Sequence, residues 1–229
     1  MQLDQSTLDF LSDLKENNNK EWFHANRKRY ETEKERFEKF CQSVLDGLSK
    51  FQDNLINTRV KDCIFRINKD IRFSKDKSPY KLNLAAAFGP GGRQSGRIDY
   101  YLHIQPNGES FIGGGIWQPT PAQLSKFRQE IDYNPTELKN IIYESNFRDY
   151  YKEIWGERVK GAPKGYKIEH PEIELLRYKQ LFFMHRYTDS EVISPDFATE
   201  FIGACKLLKP YLDYCNYIFF DETDEKFDL

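Results

Sequence analysis

Valine is scarce, with 4 among 229 residues, and the chain holds only two methionines. No stretch approaches the roughly 18 consecutive apolar residues that a membrane helix needs. Residues 1–25 carry no cleavable leader pattern, because Asp4, Asp9, Asp13 and Glu16 interrupt every apolar stretch. Cys41, Cys63, Cys205 and Cys215 are scattered without a Cys-x-x-Cys, which argues against a zinc knuckle and a dithiol redox motif. They read as small buried apolar residues. His24, His103, His170 and His185 show no ligand spacing, so no metal and no cofactor is expected. No Gly-x-Ser-x-Gly occurs, and Ser194 reads as a helix cap rather than a nucleophile. Charge of one sign is also missing overall: 34 basic residues stand against 36 acidic ones, a net of −2. That excludes a chain that is basic throughout. These absences together predict a cytoplasmic protein with no membrane partner, its oligomeric state left open.

What is plentiful is aromatic. Phe, Tyr and Trp make up 15% of the chain. Leu, Ile, Val and Phe together reach about a quarter of it, above the roughly 20% below which chains tend to stay disordered. The core is therefore aromatic and rich in Leu and Ile.

Periodicity predicts the elements. Leu8, Leu11 and Leu14 mark a first helix over about 7–17. Asn18, three residues before Glu21, fits a capping box that opens a second helix over about 20–51. Strands are expected within 82–117. Ile98, Tyr100, Leu102 and Ile104 alternate with Asp99, Tyr101, His103 and Gln105, and Pro106-Asn107-Gly108 makes the hairpin turn. Thr120-Pro121 and Asn134-Pro135 should open helices over 121–132 and 135–144, each with a capping box through Gln123 and Glu137. A shorter helix is expected near 146–153, an irregular loop over 156–170 and a short helix over 171–178. Leu181 to Tyr187 reads as a strand. Ser194-Pro195 opens a last helix, which Pro210 should kink or split. The fold class is α+β: one antiparallel meander of about four strands against several helices, two of them long. It forms a single domain over residues 1–220, followed by an acidic, frayed tail over 221–229.

One segment stands out electrostatically. From Arg59 to Arg97 there are ten basic residues against Asp62, Asp70 and Asp76, so the remaining chain is strongly acidic. Read as extended chain, Phe65, Ile67, Ile71 and Phe73 point one way and Arg66, Asn68, Asp70, Arg72 and Ser74 the other. An arginine fork suits a carboxylate or phosphate in two-point contact. If Asp70 neutralises one arginine, the other stays open to an anion. The plainer alternative is a solvated basic face with one internal ion pair. The glycine-rich stretch 89–96 lacks a Gly-Lys-Ser/Thr ending and leads into a strand, so it reads as a flexible hairpin loop rather than a phosphate cradle. Gly113-Gly114-Gly115 implies close approach by an aromatic side chain from a covering helix, or by a ligand against Trp117.

Several strings also coincide with a known family. Asn18-Asn19-Lys20-Glu21-Trp22-Phe23 resembles its opening motif. Arg72-Phe73-Ser74-x-Asp76-Lys77-x-Pro79-Tyr80-Lys81, within the stretch from Arg66, is similar to its most specific signature. Gly113 to Trp117 with Pro119, and Lys164-Gly165-Tyr166 followed by His170-Pro171, resemble later blocks. The family is the uncharacterised bacterial and fungal group catalogued as domain of unknown function 2461. The resemblance covers about residues 5–220 and implies a single domain. It supplies no activity.

The expected function is binding of an anionic small molecule bearing phosphate or carboxylate. Its candidate ligand residues are Arg66, Asp70, Arg72, Ser74, Lys77, Tyr80, Lys81, Trp117, His185 and Arg186. Nucleic acid on the same basic segment is the first alternative, and a protein-interaction domain without catalysis the second.

Overall fold

The computed structural model describes residues 2–72 and 75–220. Phe73, Ser74 and the acidic stretch 221–229 lie outside the described residues. The architecture is α+β, with one antiparallel sheet in the order β1-β2-β3-β4. Its strands are β1 (Leu84–Phe88), β2 (Tyr100–Ile104), β3 (Ser110–Ile116) and β4 (Leu181–Tyr187). The helices before the sheet are α1 (Gln5–Glu16), α2 (Lys20–Ala25), α3 (Arg27–Leu48) and α4 (Val60–Cys63). Between β3 and β4 come α5 (Pro121–Tyr133), α6 (Thr136–Ile142), α7 (Ser145–Tyr151) and α8 (Ile173–Leu176); α9 (Asp189–Val192) and α10 (Phe197–Phe219) follow. Among the described residues no helix is long and apolar enough to cross a membrane.

Two compact units emerge, each discontinuous in sequence. The first takes the chain up to Ile112 together with Arg186–Cys205. In it β1 and β2 pair antiparallel from Leu84↔Ile104 to Phe88↔Tyr100. β2 keeps the predicted alternation, with Tyr100, Leu102 and Ile104 buried while Tyr101 and His103 are half-buried. β1 is buried at all five positions, so its small alanines are packed on both faces. The hairpin turn has Asn107 and Gly108 at positive φ, and the Asp189 carboxylate accepts both of their backbone N–H groups at 2.9 Å. α3 turns Phe37, Phe40, Val44 and Leu48 inward. Phe40 stacks on Phe197, and Phe88 meets Phe201 edge-on. Glu33 of α3 is buried, which its charge alone would forbid. It is satisfied: Ser6 Oγ and Thr7 Oγ1 each donate to it at 2.7 Å, and Arg36 Nε at 3.1 Å.

The second unit holds Gly113–His185 and the chain from Lys206. Its core is aromatic. Phe183 takes the edges of Phe147 and Tyr211, with centroids 4.9 and 4.8 Å away, and the Tyr211 hydroxyl donates to the Leu181 carbonyl at 3.0 Å. Arg128 closes the end of α8, donating to the carbonyls of Leu176 and Tyr178. Thr120 and Gln123 form the expected capping box at the start of α5.

Several local expectations are corrected. The helix expected over 20–51 is two, because Asn26 leaves helical geometry and its side chain donates to the Trp22 carbonyl. Asn19, not Asn18, caps α2 by accepting the Trp22 N–H. The capping box at Asn134 is absent: Asn134 accepts from the Thr136 N–H, and α6 begins at Thr136. α10 is not split at Pro210: Phe197–Phe219 is one helix. Proline removes one backbone donor there, while Leu208, Tyr211 and Leu212 around it are buried. Gly113 and Gly115 are approached not from a covering helix but from β4. A Cβ on Gly113 would lie 2.3 Å from Phe182 Cζ, and one on Gly115 2.0 Å from the Leu181 carbonyl oxygen.

Candidate functional site

The basic segment is tethered at its base. Ile64 bridges Ala86, the Phe65 N–H donates to the Ala85 carbonyl, and the Lys81 N–H donates to the Ile67 carbonyl at 2.8 Å. Asn68 bridges Tyr80. Asn18, freed from capping α2, holds Tyr80 by two bonds: Nδ2 donates to its carbonyl at 2.9 Å and Oδ1 accepts its N–H at 3.1 Å. The Tyr80 ring stacks on Phe23 at 3.9 Å. Side-chain exposure alternates as the extended reading requires. Ile67 is buried, while Arg66, Asn68, Asp70 and Arg72 are exposed.

The cations divide into two groups. At the far end of the loop they are consumed locally. Arg72 forks onto Asp70, with Nε to Oδ1 3.0 Å and Nη2 to Oδ2 2.7 Å, and this bond lowers the Asp70 carboxyl pKa. Lys69 pairs with Asp76, whose carboxyl is held far below its usual range by Lys69 and then by Ser78. Lys77 donates to the Ile71 carbonyl at 3.0 Å.

At the base of the loop the pattern reverses. A groove of about 420 Å³ opens there, with Lys34, Lys61, Arg66 and Arg93 on its walls. One carboxylate, Glu38, also lines it, 3.9 Å from Lys61. Among the described residues neither Lys34 nor Arg66 has an ion-pair or hydrogen-bond partner. Lys81 sits close by, its ammonium 5.3 Å from the Phe65 ring centroid. Its pKa is depressed by burial, then by the charges of Arg66 and Arg93. The local potential is therefore positive, and an anion would relieve it.

Four stretches of chain build this groove, one of them β1 through Leu84. α3 contributes Tyr30, Lys34, Phe37 and Glu38, which share one helical face. The base of the basic loop contributes Ile64 to Asn68. Arg93 comes from the glycine-rich stretch, which is docked on the end of α4. Gly92 at φ +87 lies so close to the Asp62 backbone that a Cβ would come within 2.5 Å. Arg93 donates both its N–H and Nη1 to the Asp62 carbonyl, at 3.0 and 2.8 Å. Ser95 anchors the same turn on Asp99, whose carboxyl is pushed up to about 7 by burial.

The structure brings together part of the residue set expected from sequence. Arg66 lines the groove, Lys81 lies beside it, and Tyr80 anchors the loop. Asp70, Arg72 and Lys77 are turned into their own contacts at the tip, and Ser74 is outside the described residues. Trp117 and His185 belong to the second unit. Trp117 stacks on Trp155 at 4.1 Å, and His185 stacks on Tyr150 at 4.0 Å with Nδ1 3.0 Å from its carbonyl oxygen. Arg186 is paired with Glu109. Sequence reasoning overlooked Lys34, Tyr30 and Phe37 as groove residues. Their spacing on α3, at positions 30, 34 and 37, is the available signal. Among the described residues no group of three or more His, Cys, Asp or Glu side chains could hold a metal.

The fold and groove thus define an α+β protein with a cation-lined hollow beside its sheet. A family model described as conserved hypothetical protein (DUF2461) matches residues 6–214, and the chain belongs to that family. No curated protein and no solved structure matches it.

Proposed function

We propose that this is a cytoplasmic binding protein for a small anion-bearing ligand, phosphate or carboxylate, seated in the groove beneath the basic loop. The observation that carries this reading is the charge imbalance there. Four cations face about 420 Å³ against one carboxylate; among the described residues neither Lys34 nor Arg66 has a carboxylate within 4 Å, and Arg66 acts on Asp70 only at longer range. Unpaired cations are costly to crowd together, and a bound anion offsets that repulsion. Arg66 supplies the forked donor and Lys34 and Lys61 supply point charge. Arg93, fixed by the Asp62 carbonyl, is pre-set in position.

A polyanion such as nucleic acid is favoured less. Lys69 and Arg72 at the loop tip, which would extend a basic track, are already paired with Asp76 and Asp70. Calorimetric titration with inorganic phosphate, pyrophosphate and citrate tests the proposal. At least one should bind, and Arg66→Ala should weaken it tenfold or more. Absence of binding by all three, and by phenyl phosphate and benzoate as well, at low ionic strength sinks it, as does an affinity indifferent to Arg66.

A further inference from the structure

The groove is not only basic. Its inner surface is formed by Tyr30, Phe37, Ile64, Phe65, Ile67 and Leu84. A site built for a bare oxyanion would be lined by donors throughout, because an apolar wall gives such an ion nothing in exchange for its hydration. The size points the same way. At about 30 Å³ per water, about 420 Å³ corresponds to roughly fourteen waters. A phosphate, with its five heavy atoms, would leave most of that space to solvent against apolar carbon.

Two aromatic groups are held ready. Phe65 meets the Tyr101 ring edge-on, with centroids 6.0 Å apart, and the Lys81 ammonium sits over one of its faces. Tyr30 is fixed by Phe23 and Phe10, at 5.0 and 5.9 Å. Its hydroxyl has no hydrogen-bond partner among the described residues. A half-buried hydroxyl at a groove wall is an orienting donor for a ligand's polar edge.

Resting on the anion-binding reading above, we infer that the groove takes an aromatic anion: a flat ring lying against the apolar wall at Phe65 and Tyr30, with its phosphate or carboxylate held by Arg66 and Lys34. Ring stacking tolerates many ring types, so the class is set by an aromatic body carrying one anionic group rather than by a single compound.

Calorimetry on the wild-type chain with four probes decides this: inorganic phosphate, phenyl phosphate, benzoate and phenol. Phenyl phosphate or benzoate should bind at least tenfold tighter than phosphate, and phenol should bind far more weakly than either. Whichever of the two binds tighter identifies the anionic group. In Phe65→Leu, which keeps an apolar wall but removes the ring, the advantage of the aromatic probe over phosphate should fall to less than threefold. Equal affinity for phosphate and phenyl phosphate, with benzoate no tighter, overturns this inference and leaves the anion reading standing. Failure of phosphate, phenyl phosphate and benzoate alike overturns both. Phenol binding as tightly as phenyl phosphate also overturns both, since charge would then contribute nothing.

Discussion

Arg72 is locked onto Asp70 two residues away by a two-point contact, with 3.0 and 2.7 Å between the facing atoms, and both side chains stand in solvent. That pairing uses up Arg72 at the loop tip, whereas Arg66 of the same extended row lines the groove. Arg66, at the loop base, has no hydrogen bond or close ion pair among the described residues, acting on Asp70 only at longer range.

Arg72→Ala should leave anion affinity within about twofold, because an exposed, solvent-screened ion pair at the loop tip contributes little to a site at the loop base. Arg66→Ala should cost at least tenfold, equivalent to about 1.4 kcal/mol. Calorimetry of the two variants at one ionic strength checks the contrast. Equal losses would move the site to the loop tip.

Removing Glu33 should destabilise the first unit severely. Thr7 and Arg36 would be left with donors facing an empty position. Glu33→Ala should cost about 2–4 kcal/mol, the range for a buried group that leaves its partners unpaired. Urea denaturation followed by circular dichroism gives the number. A loss below 1 kcal/mol would show that the network is not needed for stability.

The strand glycines should differ from one another. Gly115 has φ +116, and an added Cβ would strike the Leu181 carbonyl, which belongs to the paired backbone of β4. At Gly113 the nearest atoms belong to the Phe182 ring, which can turn. Gly115→Ala should lower the melting temperature more than Gly113→Ala, by several degrees. The reverse order in a calorimetric scan would mean that the ring is the more rigid neighbour.

Asp99 should make stability fall as pH rises. Its carboxyl titrates near 7 in the folded chain, raised by burial, against roughly 3.9 when unfolded. Between those values the folded state holds the extra proton, so each step upward in pH favours the unfolded chain. The penalty is complete above about pH 7. Asp99→Asn should be more stable than wild type at pH 8, by on the order of 1–3 kcal/mol, and nearly equal to it at pH 4. A variant with the same pH dependence as wild type would assign the slope to another group.

Local features were legible along the chain. The β2 alternation, the Asn107-Gly108 turn, β4 at Leu181–Tyr187 and the Thr120 cap each depend on residues within a few positions of one another. Asn18 was misread for the opposite reason. Its spacing to Glu21 fits a cap, but Tyr80, sixty-two residues on, offers it both a donor and an acceptor, and Asn19 is placed to take over the cap.

By itself the sequence determined the α+β class, an aromatic core, family membership and a basic loop with period-two exposure, because these follow from composition and from short-range spacing. Only the tertiary structure decided which cations remain without a counter-ion. Coulomb attraction acts through space, so whether Lys34, Arg66 and Arg93 meet a carboxylate depends on how α3, the loop base and the glycine-rich turn come to share one hollow.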